Sequence, residues 1–411
     1  MTCCSQNLAS RLRPAGRKRG LTEQDDSSLH HPVHARGLQA LASRNRLRQV
    51  THREGWDFSS NDYLGLACSA ELHDDLMQAM AKDAAMGSGG SRLLRGNHRA
   101  HVELEDEAAR LFGTEASLYF SSGFLANLAL FSTLPQRGDI VVHDALIHAS
   151  VHDGMRLSRT DAVAAEHNDV DAFDDAIVRW RRDGGTGRPW LAVESLYSMD
   201  GDTAPLDDLF EVVDRHDGVL VIDEAHATGV LGPHGRGLGA HLEGRSNVVS
   251  LHTCGKALGI MGGLICAPRV LIDFLINRCR PFIYTTAPPR LIAEVVRLAL
   301  MRVLHDDSCD GSCRRDQLKQ RVSNAGVALM EKCGLKSTGT HIQPIPVGSD
   351  QHAVQLAGAL QKRGFDIRAI RPPTVPKGTA RLRMSLTLNV TDEIQSDFVE
   401  ALSQERKRLR S

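Results

Sequence analysis

The sequence lacks any run approaching the roughly 18 apolar residues of a membrane-crossing helix, so it predicts no span. It also lacks an excess of either charge. Its 49 Lys and Arg against 50 Asp and Glu leave a formal net charge of −1, with no global field to hold nucleic acid or an anionic membrane. No cysteine framework is present: the nine cysteines are odd in number and scattered, with no secretory apolar segment before them. They predict reduced thiols in a cytoplasmic protein. Cys309 and Cys313 have a zinc-like spacing but no second pair nearby, and read as solvated loop thiols. His30, His31 and His34 are read with the same caution, and no metal is expected. The first 20 residues carry Arg11, Arg13, Arg17, Lys18 and Arg19 without an acid, which reads as a basic extension.

What is present is material for a large core: 411 residues, 42% of them apolar and 24% charged, enough for two or more domains. Residues 35–50 read as a short arm helix, and Asn61-Asp62-Tyr63-Leu64-Gly65 as a turn into the body. Leu104, Ala108, Leu111 and Phe112 recur at helical spacing, before a strand at Ala116–Phe120, a Ser-Ser-Gly turn and a helix from Phe124. The short apolar runs at 140–142, 190–193, 219–222 and 248–251 are continuous, as strands buried on both faces should be. The pattern predicts an α/β fold whose central sheet is mostly parallel, with helices on both faces. Beyond about residue 285 come long helices, strands near 342–347, 366–370 and 380–388, and a last helix, which predict a smaller α+β domain. The expected divisions are a tail and arm over 1–60, a large domain over 61–285 and a small domain over 286–411.

Two residues focus the chemistry. Val219-Leu220-Val221-Ile222 ends in Asp223, a carboxylate at the carboxyl end of a buried strand, where open α/β sheets bind ligands. The following Glu224-Ala225-His226 also resembles the acidic element of helicase-type ATPases, but that reading requires an earlier G-x-x-x-x-G-K-[ST] loop, and there is none. Lys256 follows the next apolar run in Thr253-Cys254-Gly255-Lys256, among small residues where it is poorly hydrated. Desolvation lowers a lysine's pKa, as bond formation with an aldehyde requires. An acid, a desolvated lysine, His226 and a helix N-terminus at Ser122-Gly123-Phe124 are the parts that pyridoxal 5′-phosphate needs: a partner for its ring nitrogen, an amine for its aldehyde, a contact for its phenolic oxygen and a seat for its phosphate. Thr253 adds a hydroxyl to that seat.

With Gly87-Ser88-Gly89-Gly90-Ser91, His148-Ala149-Ser150 and Ser198-Met199-Asp200-Gly201-Asp202, these segments resemble the α-oxoamine synthases, a fold-type I pyridoxal-phosphate family, from about residue 35 to 405. The resemblance implies a homodimer that condenses a small amino acid with an acyl thioester on coenzyme A or a carrier protein, with loss of carbon dioxide. Lys256 would carry the cofactor and move the Cα proton, Asp223 would meet the ring nitrogen, and His148 would stack on the ring. Ser198 and His226 would lie beside it, Arg371 would hold the amino acid's carboxylate, and Thr374 and Arg48 would meet substrate. The segment from Ile370 to Arg383 is most like the member that joins L-alanine to a pimeloyl thioester. Sister enzymes that use glycine or serine with other acyl groups remain open at this point.

Overall fold

The structure is a computed structural model that describes residues 30–410 except 51, 53, 84 and 306–308; the basic extension lies outside the described residues. The chain divides into two units, Met1–His52 and Arg53–Ser411.

In the first unit the arm helix runs over Pro32–Ser43 rather than 35–50. Proline in its first turn is already set at a helical φ and gives up an N–H that would have had no partner there. The helix stops where Asn45 adopts a left-handed φ of 54°, a conformation that asparagine tolerates better than most residues. None of its described side chains is buried.

The second unit is built on a seven-stranded sheet. A two-residue strand, β1 (Trp56–Asp57), precedes β2 (Ala116–Phe120), β3 (Ile140–Asp144), β4 (Asp161–Ala165), β5 (Pro189–Glu194), β6 (Val219–Asp223), β7 (Val248–Thr253) and β8 (Gly263–Ala267). The order across the sheet is β2-β8-β7-β6-β5-β3-β4. Every residue of β5, β6, β7 and β8 is buried, which is why their sequences are largely apolar without alternation, β7 alone carrying a buried Ser250 and His252 within it. β8 runs antiparallel to both of its neighbours, so β2 is directed like β3 to β7. The carboxyl ends of β2, β3, β5, β6 and β7 therefore share one edge, and every sequence-predicted cofactor residue lies on or just after one of those strands.

Four features depart from the sequence reading. β4 was not anticipated: it is an exposed edge strand of Asp, Ala and Val with only Ala165 buried, so no apolar run marks it. β8 was not anticipated either, and its burial on both faces gives no signal of its reversed direction. The strand expected at 366–370 is two short ones, β10 (Phe365–Asp366) parallel to β1 and β11 (Ala369–Ile370) antiparallel to β12 (Ala380–Ser385), which also pairs with β9 (Ile342–Gly348). Cys313 is exposed, but in the helix Cys309–Cys333 rather than a loop.

Helices hold the sheet in place. The helix Arg99–Phe112 buries Leu104, Ala108, Leu111 and Phe112 at the predicted spacing, is capped by the His98 side chain, and ends at Gly113, whose φ of 68° favours a residue without Cβ. The helix Gly123–Thr133 packs on the helix Ala149–Leu157 so closely that a Cβ on Gly154 would lie 2.8 Å from Phe131. Among the described residues no helix is long and apolar enough to cross a membrane.

Candidate active site

At the shared strand edge, Gly123, Phe124, Asn127, His148, Glu194, Asp223, Ala225, His226, Thr253 and Lys256 surround a cavity of about 120 Å³, together with Ser150 and Leu251. A cleft of about 1010 Å³ around Val230, Lys319, Met330 and His341 is larger, but it contains none of the residues singled out for chemistry. The smaller cavity is therefore the site.

Asp223 ends β6 and is buried. One carboxylate oxygen accepts the Asn127 side-chain amide at 2.7 Å and the other accepts the Ala225 backbone N–H at 2.9 Å. With one donor on each, both oxygens keep a lone pair for a ring N–H. Asn127 also donates to the Ser150 hydroxyl at 3.1 Å. It was missed in the sequence, although it interrupts the otherwise apolar stretch Leu125-Ala126-Asn127-Leu128-Ala129-Leu130.

Lys256 lies in the connection from β7 to β8, with Nζ 2.7 Å from Nε2 of His226. Burial pushes its pKa down to about 8, while Asp223 and Glu194 pull the other way. Burial also holds His226 well below the usual histidine value, and the charge of Lys256 adds to that effect. A neutral His226 that accepts from Lys256 at Nε2 carries its proton on Nδ1, which lies 2.6 Å from the Tyr63 hydroxyl. Tyr63 donates in turn to Asn61 Oδ1 at 3.0 Å and accepts from Arg383 at 3.1 Å. Arg383 is buried among neutral acceptors, namely Ser198 O, Asn61, the Ser385 hydroxyl and Tyr63. Neither Tyr63 nor Arg383 was assigned a role from sequence.

The phosphate seat forms at the start of the helix Gly123–Thr133. The Ser122 hydroxyl caps the helix by accepting Leu125 N–H at 3.2 Å, and the N–H groups of the first turn have no partner within the helix. A Cβ on Gly123 would stand 3.1 Å from the Thr253 hydroxyl, and one on Gly263 would stand 2.7 Å from Ser122 O, so two glycines keep this turn open and tightly backed. His148 caps the next helix through its bond to Ser150 N at 3.2 Å and meets Phe124 edge to face at 6.5 Å. Burial holds it below the usual histidine value, with Asp223 opposing. Ser198 is buried, and its backbone N–H reaches Glu194 Oε2 at 3.0 Å.

Ser122 and Ser198 are not among the residues that line this cavity, nor are the predicted substrate residues. Arg371 is partly buried and Thr374 exposed in the turn after β11, where Thr374 N–H bonds Arg371 O at 3.0 Å. Arg48 is exposed and belongs to the first unit.

The residues that line the cavity fit pyridoxal 5′-phosphate. They supply a buried carboxylate held by two protein donors, a desolvated lysine, an imidazole and an open helix N-terminus. Two buried oxygens at the cavity, Asn127 Oδ1 and Glu194 Oε1, have no hydrogen-bond partner among the described residues.

A family profile described as aminotransferase class I and II matches residues 53–402. The 8-amino-7-oxononanoate synthase of Chromobacterium violaceum is 40% identical over 365 residues, spanning 85% of this chain and 92% of that protein. Its counterpart from Burkholderia thailandensis is 41% identical over 82% of this chain and 85% of that protein. The chain belongs to the 8-amino-7-oxononanoate synthase family. It is thus a pyridoxal-phosphate-dependent acyltransferase of fold-type I. Among solved structures, a Sphingomonas wittichii serine palmitoyltransferase has a TM-score of 0.81 at 27% identity, covering 93% of this chain and 98% of its own. The 8-amino-7-oxononanoate synthase of Francisella tularensis has a TM-score of 0.72 at 27% identity, covering 87% and 99%.

Proposed function

We propose that the enzyme condenses L-alanine with a pimeloyl thioester, on coenzyme A or a carrier protein, releasing carbon dioxide and forming 8-amino-7-oxononanoate for biotin synthesis. The observation that carries the reading is the extent of the match: relatives bearing that name are about 40% identical over more than four-fifths of the chain.

The cofactor supplies an electron sink for charge that develops at the amino acid's Cα. The protein's residues do the rest. Lys256 would hold the cofactor through its aldehyde, and its Nζ would be the base that takes the Cα proton and returns one to the product. Its lowered pKa leaves a substantial neutral fraction near pH 8. Asp223 would meet the ring nitrogen, and His226, held by Tyr63, presents Nε2 to Lys256 Nζ. Ser122, Gly123, Phe124 and Thr253 would seat the phosphate, His148 would cover the ring and Ser198 would flank it. Arg371 would hold the amino acid's carboxylate, and Thr374 would contact substrate.

A homodimer and a cytoplasmic setting belong to the same proposal. The exposed apolar side chains Phe124, Met261 and Tyr284 support a protein partner, and free thiols such as Cys68 and Cys313 suit a reducing compartment.

One methyl group separates alanine from glycine by only about 1–3 kcal/mol in a pocket, so substrate choice needs a direct test. Equal alanine, glycine and serine are offered with pimeloyl, acetyl, succinyl and palmitoyl thioesters, and the aminoketones are weighed by mass spectrometry. Dominance of the alanine and pimeloyl product is expected. Dominance of a glycine or serine product would transfer the enzyme to a sister activity.

A further inference from the structure

Glu194 ends β5 as Asp223 ends β6, and the two are register partners on adjacent parallel strands. Both are buried, both line the same cavity, and the sequence reading assigned Glu194 nothing. Two carboxylates so close in a desolvated site do not both ionise readily. Their hydrogen bonds decide which one keeps a proton. Asp223 accepts two donors, one on each oxygen. Glu194 accepts one, the Ser198 backbone N–H on Oε2, while its buried Oε1 has no partner among the described residues.

We propose that Glu194 is a positioning residue that works as a neutral carboxylic acid: Oε2 fixes Ser198, and Oε1 offers a hydrogen-bond donor to the cofactor cavity, leaving the carboxylate charge there to Asp223.

The surroundings agree. Burial is the main influence raising the Glu194 pKa, Asp223 comes next, and Asp144 at the end of β3 adds to them; Lys256 and the Ser198 N–H oppose, and the balance stands at about 8. His148 and His226 line the same cavity, and burial keeps both toward their neutral forms. Tyr63 and Tyr197 also face Glu194, and burial raises both phenols. The proton leaves to solvent when the pH passes the raised value, and a second negative charge then stands beside Asp223.

The role of Asp223 toward the ring is part of the proposed function, so the primary measurement is made without cofactor. Infrared spectra of the cofactor-free enzyme, wild type minus Glu194→Gln, are recorded from pH 7 to 9.5. A protonated-carboxyl band is expected at pH 7, fading with a midpoint near pH 8 and missing from the variant. Glu224, pushed up to about 6 by burial, titrates below this window. Absence of the band at pH 7 overturns the proposal. Should Glu194→Gln not fold, the wild-type titration decides by itself.

A second readout is pyridoxal-phosphate affinity. Between pH 7 and 9 the variant's affinity is expected to change by roughly tenfold less than that of wild type, one pKa unit being tenfold in binding. A pH-independent loss would mark a structural role and overturn the assignment. Failure of Asp223 as the ring's partner would look different: Asp223→Asn would keep its turnover while the Glu194 band stayed in place.

Discussion

Nζ of Lys256 and Nε2 of His226 are 2.7 Å apart, and the far side of the same imidazole is fixed at 2.6 Å by the Tyr63 hydroxyl. The amine proposed to carry the cofactor thus rests on a neutral acceptor rather than on a carboxylate. Its alternative state, released to act as a base, costs one hydrogen bond and no ion pair. Borohydride treatment of the yellow holoenzyme should fix the cofactor to the peptide that contains Lys256. Lys256→Ala should lower turnover by about 10²–10⁴ while still binding cofactor weakly. Labelling of a different lysine would reject the assignment.

For Asp223, the expected result of Asp223→Asn is a fall in kcat on the order of 10² or more, since the shape survives and the charge does not. The Asn127 amide, which donates to Asp223 at 2.7 Å, would then face a group that can itself be a donor. Near-normal kcat would remove Asp223 from the role of ring partner.

Tyr63→Phe removes the hydroxyl that takes the His226 proton and leaves one donor of Arg383 buried without a partner. A stability loss of about 1–3 kcal/mol is expected in denaturant titration. Turnover should fall by roughly tenfold, because the imidazole is no longer held in one tautomer and orientation. Unchanged turnover with the full stability loss would confine Tyr63 to a structural part.

A pH test lies behind the site. His167 Nδ1 meets Asp144 at 2.9 Å and Nε2 meets Asp202 at 2.8 Å. Burial alone would lower the His167 pKa, but the bonds to Asp144 and Asp202 raise it overall. A folded value above 6.5 gives stability that is complete below pH 6.5 and disappears as pH rises through the folded value. Against His167→Gln, wild type should therefore gain about 1 kcal/mol at pH 6, partial solvent contact keeping the figure small, and little at pH 8.5. An equal gap at both pH values would contradict this.

The parts of the fold legible in the sequence were those governed by burial on both faces. Val219-Leu220-Val221-Ile222 announces β6 as an unbroken apolar run, and Trp190-Leu191-Ala192-Val193 does the same for β5, while in β7 the apolar Val248, Val249 and Leu251 carry the signal around a buried Ser250. β4 escaped because an exposed edge made of Asp, Ala and Val leaves no apolar run. In the site, Asp223 and Lys256 could be paired because each ends or follows such a run. Glu194 ends one too, and Trp190-Leu191-Ala192-Val193-Glu194 could have been read in the same way as the run before Asp223. Tyr63 and Arg383 could not be joined by local pattern at all: they meet across 320 residues of sequence.

The reversal at β8 has a consequence for how the site survives motion. Antiparallel neighbours need no crossover helix, so the chain returns from Thr253 to Gly263 through a compact loop, closed by Cys254 N–H on Gly262 O at 2.9 Å and Ile260 N–H on Cys254 O at 2.9 Å. Lys256 therefore rides on the seam between two interior strands instead of on a free-standing lid. Displacing its backbone requires that seam to part, an event whose free energy belongs with global unfolding rather than with local fraying. Amide hydrogens of Cys254 and Ile260 should accordingly exchange as slowly as those of β7 and β8, while the Lys256 side chain can move on that fixed base.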